Sequence, residues 1–264
     1  MTLRGKGINL QVLTECICYL LFGYLLFQLT FSGGYLNYVT PRMKPYLYGM
    51  SALMLLWAVF TGRYLLTPRY RVRLARSFVF IIPILLLAFR PADPGGSSMV
   101  RSYESSGFSM GFGNGGTDAY PEDDTGQSYG EENPWYDLRG LDEAEKTITI
   151  ADEDYYTWMY ELSNFYEKYE GYTVVMKGFV FRTPDIQKKC DFALVRLSMW
   201  CCAADLTPIG FLVDSDSEVT FNDDDWVTVT GTFGISEHEE SLILKAQSIE
   251  AAGKPEEEYV YPYF

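Results

Sequence analysis

The chain has 264 residues, room for two modest domains, with 48% hydrophobic residues, 35 Asp or Glu against 21 Lys or Arg, and a net charge of −14. The average conceals two opposite halves: residues 1–90 hold ten bases and a single acid, Glu15, whereas residues 91–264 hold eleven bases and thirty-four acids, giving +9 and −23. A half so acidic repels phosphate backbones, which argues against nucleic acid as a partner, and five scattered cysteines are too few for a disulfide framework.

Ile8 to Phe31 is predominantly apolar, interrupted mainly by Gln11, Glu15 and Gln28, and is long enough to cross a hydrocarbon core about 30 Å thick. No small-residue cleavage site follows, so a retained membrane span is expected, with Cys16 and Cys18 as small hydrophobes on different helix faces. Tyr46 to Phe60 is a second apolar run. Ser77 to Phe89 is a third, short for a crossing unless Leu74, Ala75 and the snorkelling Arg73 and Arg76 extend it. Arg63, Arg69, Arg71, Arg73 and Arg76 lie between the second and third runs, against only Arg42 and Lys44 after the first. The positive-inside rule then puts the N-terminus, with Arg4 and Lys6, in the cytoplasm and everything after Phe89 outside a cell membrane crossed several times. Membrane lipid is therefore an expected partner. A carboxylate in hydrocarbon is costly unless paired or protonated, so Glu15 is a candidate functional residue, expected at the interface or against a partner.

Pro91 to Tyr136 is rich in Gly, Ser, Pro and acids without periodicity, which predicts a disordered tether. Tyr155, Met159, Leu162, Tyr166 and Tyr169 then recur at spacings of four and three after Asp152, Glu153 and Asp154 and before Gly171, predicting one amphipathic helix with an acidic first turn and a core-facing aromatic stripe. The pattern beyond is β: YTVVMKGFVFRT, FALVRLSMW, PIGFLV, WVTVTGTF and SLILKAQSI, each bounded by turn residues. Five short strands, with Gly178 and Gly231 where a small barrel must bend, predict an OB-like barrel, a sandwich being the alternative. The expected domains are an α-helical membrane anchor of about three segments (1–90), an acidic linker (91–145), the extracytoplasmic β domain (146–253) and a tail (254–264).

The chemically unusual stretch is RLSMWCCAADLTPIGFLV, residues 196–213. In a regular strand Cys201 and Cys202 face opposite sides, so they share an ion with Asp205 only if the chain turns sharply, as Asp205 and Pro208 allow. Cys190 lies eleven residues back, about 36 Å along an extended strand, and is a poor third ligand. Zinc sites take four ligands and the chain has one histidine, His238; thiol redox chemistry takes a Cys-x-x-Cys pair. The simpler expectation buries one thiol in the barrel and packs the other under a turn, with Arg196 and Asp205 forming an ion pair that holds it. Asp223, Asp224 and Asp225 read as solvated turn residues. None of the common catalytic motifs is present, so an enzyme is not expected.

The SGGYLNYVTPR connection, the IIPILLLAFRP segment and the soluble stretches YEGYTVVMKGFVFR, VRLSMWCCAADLTPIGFLV and DDWVTVTGTFG resemble the YcgQ-type family, in which the set Arg196, Cys201, Cys202, Asp205, Pro208 and Gly210 is the most specific part. That resemblance implies one subunit of a two-component membrane permease complex, partnered with a multi-span permease whose relatives include organoarsenical exporters, and a link to divalent metal such as zinc. Where relatives carry a His-rich loop between the second and third spans, this chain has TPRYRVRLARS, which shifts any metal role to the outer domain. The implied function is a non-enzymatic accessory subunit whose outer domain regulates the permease or presents solute to it. The alternatives are an extracytoplasmic metal or metalloid chaperone using the adjacent cysteines, and an envelope sensor or interaction protein.

Overall fold

The structure, a computed structural model, describes residues 9–66, 78–89, 96–105, 138–236 and 241–262. The expectations resting on Arg4, Lys6, Arg69 to Arg76, His238 and the central part of the acidic linker lie outside these residues. The chain divides into two units, residues 1–93 and 94–264.

In the first unit, Asn9 caps helix α1 (Leu10–Phe31) by accepting the Val12 N–H at 3.3 Å. At 1.5 Å per residue its 22 residues reach about 33 Å, enough for a bilayer core. The connection turns through Gly33 at φ +78°, a conformation glycine adopts without strain, and two short 3-10 turns lead into α2 (Lys44–Gly62). The two helices pack closely: Ser51 donates to the Gly23 carbonyl at 2.8 Å and the Cys16 thiol to the Ala58 carbonyl at 3.4 Å. Small residues and interhelical hydrogen bonds of this kind hold helices together where lipid removes the hydrophobic drive. Both helices are long and apolar enough to cross a membrane. The third apolar run forms α3 (Phe78–Ala88), whose 11 residues reach only about 16 Å; Phe80 meets Tyr19 of α1 edge-on at 5.2 Å.

The second unit opens with a helix where a disordered linker is expected. Helix α4 (Gly96–Ser105) buries Val100 and is pinned by Asp224, which accepts from the Ser97 N–H at 2.7 Å and Oγ at 2.5 Å, while Arg101 pairs with Asp223 at 2.7 Å. Asp223 and Asp224 are thus structural acids; Asp223 also meets Arg182 at 3.4 Å. The expected single helix is two, α5 (Tyr155–Asn164) and α6 (Tyr166–Tyr169), because the backbone leaves helical geometry at Phe165. Its first turn holds no acid, since Asp152 and Asp154 pair with basic groups instead: Lys177 and Arg196 for Asp152, Arg139 for Asp154. The aromatic stripe does face the core, with Tyr155, Met159, Leu162 and Tyr169 buried.

The five expected strands are present as β3 (Thr173–Phe181), β4 (Phe192–Ser198), β5 (Thr207–Ser215), β6 (Trp226–Ile235) and β7 (Leu242–Ala251). They close in the order β3-β6-β7-β5-β4, with β4 returning to β3 and β5 running parallel to β7, a five-stranded OB-like barrel. Gly231 sits at the β6–β7 bulge, where a Cβ would lie 2.7 Å from the Lys245 carbonyl. Three shorter strands are added to these: β2 (Thr147–Thr149) lies parallel to β3, and beyond the expected limits β1 (Leu141–Asp142) pairs with β2 and β8 (Tyr259–Val260) lies parallel to β4 within the expected tail.

Alternation along the strands produces two cores. Val174, Leu194, Phe211, Val229 and Phe233 fill the barrel together with Trp158 and Met159 of α5. Phe179, Phe181, Val195, Leu197 and Ile243 form an outer layer covered by Val100 of α4 and Tyr259 of β8. Every residue of β4 is buried, because both of its faces are covered.

Candidate functional site

Strand β4 ends at Ser198 and the chain must reverse before β5 begins at Thr207. Asp205 makes that reversal. One carboxylate oxygen accepts the Trp200 N–H at 3.0 Å; the other accepts the N–H groups of Cys201 at 2.7 Å and Cys202 at 3.2 Å. The Asp205 N–H returns to the Cys202 carbonyl at 2.9 Å, and a 3-10 turn covers Ala203–Asp205. A carboxylate accepting several backbone N–H groups is a strong turn former.

The turn abolishes the alternation that would separate the two cysteines. Their sulfur atoms lie 3.6 Å apart, Cys201 exposed and Cys202 partly so. With an Asp205 oxygen, the three donor atoms fall within 4.8 Å of one another, the one group of this kind among the described residues. Neither thiol enters the barrel, which corrects the expectation of one core thiol. Cys190 is the buried one, packed in the outer layer with its thiol toward the Ile186 and Phe192 carbonyls. Burial pushes it up to about 11, an inert state.

The electrostatics of the turn hold a thiol, a thiolate-like neighbour being disfavoured. The hydrogen bond to the Asp205 carboxylate, then that to Cys202, pushes the Cys201 thiol up to about 12. Desolvation works to raise the Asp205 carboxyl, but the Cys201 thiol and the three backbone N–H groups outweigh it and hold Asp205 below its ordinary value. Two soft sulfurs and one hard oxygen fit a thiophilic cation, which must displace the thiol protons to bind.

Arg196 has a separate task. Its guanidinium is 1% exposed and bonds Asp152 at 2.8 Å and the Glu257 carbonyl at 2.7 Å, with the Tyr155 and Trp226 rings 5.0 and 5.8 Å away. The expected Arg196–Asp205 ion pair is therefore absent: Arg196 ties barrel to α5 and the C-terminal segment, and Asp205 serves the turn. Pro208 and Gly210 belong to β5, opposite Leu197 and Val195. At Gly210 a Cβ would lie 1.9 Å from the Leu194 carbonyl, so the close β4–β5 approach needs glycine there. Asp152 and the Glu257 carbonyl are not singled out by the sequence pattern, since their partner is 44 and 61 positions away.

In the other unit, Glu15 accepts from Gln11 at 3.0 Å and borders a cavity of about 390 Å³.

A family model described as the DUF1980 C-terminal domain matches residues 127–262, and one described as the DUF1980 N-terminal domain matches residues 14–104. The chain is similar to the UPF0703 protein YcgQ of Bacillus subtilis (strain 168), 28% identical over 126 residues. That alignment covers 46% of this chain and 44% of the relative, less than half of either. No solved structure matches.

Proposed function

Since the chain belongs to the DUF1980 family, we propose that it is a non-enzymatic, membrane-anchored accessory subunit of a two-component permease, and that its barrel presents a thiophilic metal ion to the multi-span partner. The observation that carries this reading is the exposed pair of sulfurs 3.6 Å apart beside Asp205. The resemblance to YcgQ-type proteins supports the permease partnership, and the two apolar helices supply the anchor.

In this reading the ion is cargo. Cys201 and Cys202 bind it as thiolates, Asp205 offers an oxygen while keeping the turn closed, and exposure leaves a side open for transfer. A buried four-ligand cage would hold zinc for structural purposes; three donors at the surface suit exchange. The barrel then faces the outside of the cell, as the distribution of basic residues in the anchor favours.

The test is retention of Zn(II), and of Cd(II) as a softer probe, by the full chain in detergent micelles. One ion per chain is expected, lost when Cys201→Ser and Cys202→Ser are combined. Retention unchanged in that variant overturns the metal assignment. Affinity purification from native membranes tests the partnership: a multi-span permease supports it, and a soluble partner in its place overturns it.

A further inference from the structure

All five cysteines are free, and they differ in what their sulfurs can reach. Cys16 donates to the Ala58 carbonyl between α1 and α2, Cys18 is buried in α1, and Cys190 is buried with its thiol turned to two main-chain carbonyls. Cys201 and Cys202 instead bring their sulfurs to 3.6 Å at the surface, about 1.5 Å more than a disulfide bond spans. Their neighbours Ala203 and Ala204 are small and exposed, which leaves the sulfurs room to close that gap. The rest of the turn is anchored without the thiols. Met199 and Leu206 are buried on either side of it, the Met199 N–H donates to the Val260 carbonyl at 2.8 Å, and Asp205 holds three N–H groups between them. A bond between the sulfurs would therefore change two side chains and their shared peptide while the barrel stays as it is.

We propose that Cys201 and Cys202 form a reversible disulfide with each other, and that this bond switches the turn from an ion-binding dithiol to a form that takes no ion. The inference deepens the reading above and rests on it at two points: the pair as the ion site, and the barrel outside the cell, where disulfides persist. The oxidant is a small-molecule disulfide. One cysteine thiolate attacks it, breaking its S–S bond and releasing one of its halves as a thiolate; the second cysteine thiolate then attacks the protein sulfur of the mixed disulfide and releases the other half. One S–S bond forms and one breaks, two electrons pass from the cysteines to the oxidant, and its two sulfurs take the two protons. The thiolate is the metal ligand, so the disulfide leaves only the Asp205 oxygen for an ion. A bound ion, in turn, engages both thiolates and blocks the first attack. The new ring encloses the Cys201–Cys202 peptide, whose N–H Asp205 holds at 3.2 Å. Strained or exposed disulfides are the labile ones, so a thiol reductant reopens this one. The chain lacks Cys-x-x-Cys spacing here, and the reversal at Asp205 brings the sulfurs together in its place.

The experiment treats the metal-free full chain in detergent micelles with oxidised glutathione and follows it by intact mass and peptide mapping. A loss of two hydrogen atoms is expected, mapped to the peptide that carries both cysteines. Cys201→Ser and Cys202→Ser, each alone, should stop at a mixed disulfide with one glutathione. One equivalent of Zn(II) added beforehand should slow the oxidation at least about tenfold. The oxidised chain should retain no Zn(II) until a phosphine reductant restores the dithiol. A wild-type chain that ends as the dithiol, as a mixed glutathione disulfide or as a disulfide-linked dimer overturns the proposal, as does a bond mapped to Cys16, Cys18 or Cys190. An oxidised chain that still holds Zn(II) overturns the switch. A reduced chain that holds none overturns the metal reading and the switch with it, and that failure is told apart by the mass loss, which requires no metal.

Discussion

Arg196 and Cys201 lie five residues apart on one strand and its turn, yet they are built in opposite ways. Arg196 is sealed inside the domain and held by a carboxylate, a carbonyl and two rings from distant parts of the chain. The two thiols stand at the surface, and what holds their turn is local: one carboxylate and three N–H groups within six residues. A run that reads as one motif therefore divides into a segment that keeps the fold and a segment free to do chemistry. The difference teaches that adjacency in sequence does not imply a shared role.

The largest effects should fall on the structural side. Gly210→Ala drives a methyl into the Leu194 carbonyl and should cost about 4 kcal/mol, seen as loss of cooperative barrel unfolding by tryptophan fluorescence of the full chain. Arg196→Ala should cost about 3 kcal/mol by the same measurement, somewhat tempered because Lys177 still serves Asp152. If either variant left stability unchanged while abolishing metal retention, the division of the motif would collapse.

On the turn, the effects should be chemical. Removing the charged acceptor in Asp205→Asn lets the Cys201 thiol relax from about 12 toward its ordinary value of 9.0, raising the thiolate fraction at pH 8. Alkylation of Cys201 by iodoacetamide should accelerate at least about tenfold, and an unchanged rate would remove Asp205 from the thiol's control. The pH dependence follows from the depressed carboxyl. Its stabilisation is fully present above the unfolded value near 3.8 and is lost as pH falls through the lower folded value. The wild-type advantage over Asp205→Asn in thermal midpoint should thus stay constant from pH 8 to 5 and shrink below about pH 4. The smallest effect is expected from Cys201→Ser with Cys202→Ser, within about 0.5 kcal/mol of wild type in unfolding, since these side chains bury little.

Much of this was legible in the sequence where periodicity was long enough to read. The two long apolar helices are legible from the length of their apolar runs, and the five strands of seven to ten residues from β-rich stretches bounded by turn residues. Strands β1, β2 and β8, of two or three residues, carry no period at all and exist because β2, β3 and β4 respectively offer them an edge. Helix α4 has little apolar content to announce it, and its anchors, Asp223 and Asp224, lie more than 120 positions away. The cysteines were conspicuous, but their approach depends on where one carboxylate reaches back, a choice that composition leaves open. Asp205 is the near acid in sequence to Arg196, but burial of the guanidinium selects Asp152 across the fold.

Asp205 also has a consequence for variation. It grips residues 200–202 through their backbone N–H groups, a hold that any side chain at these positions would keep, so the turn behaves as a socket whose contents are interchangeable. In the proposed ion-presenting role, replacing the cysteine pair with histidines or carboxylates should change which ion the turn prefers without asking the barrel to refold, which makes this loop a natural place to redesign selectivity.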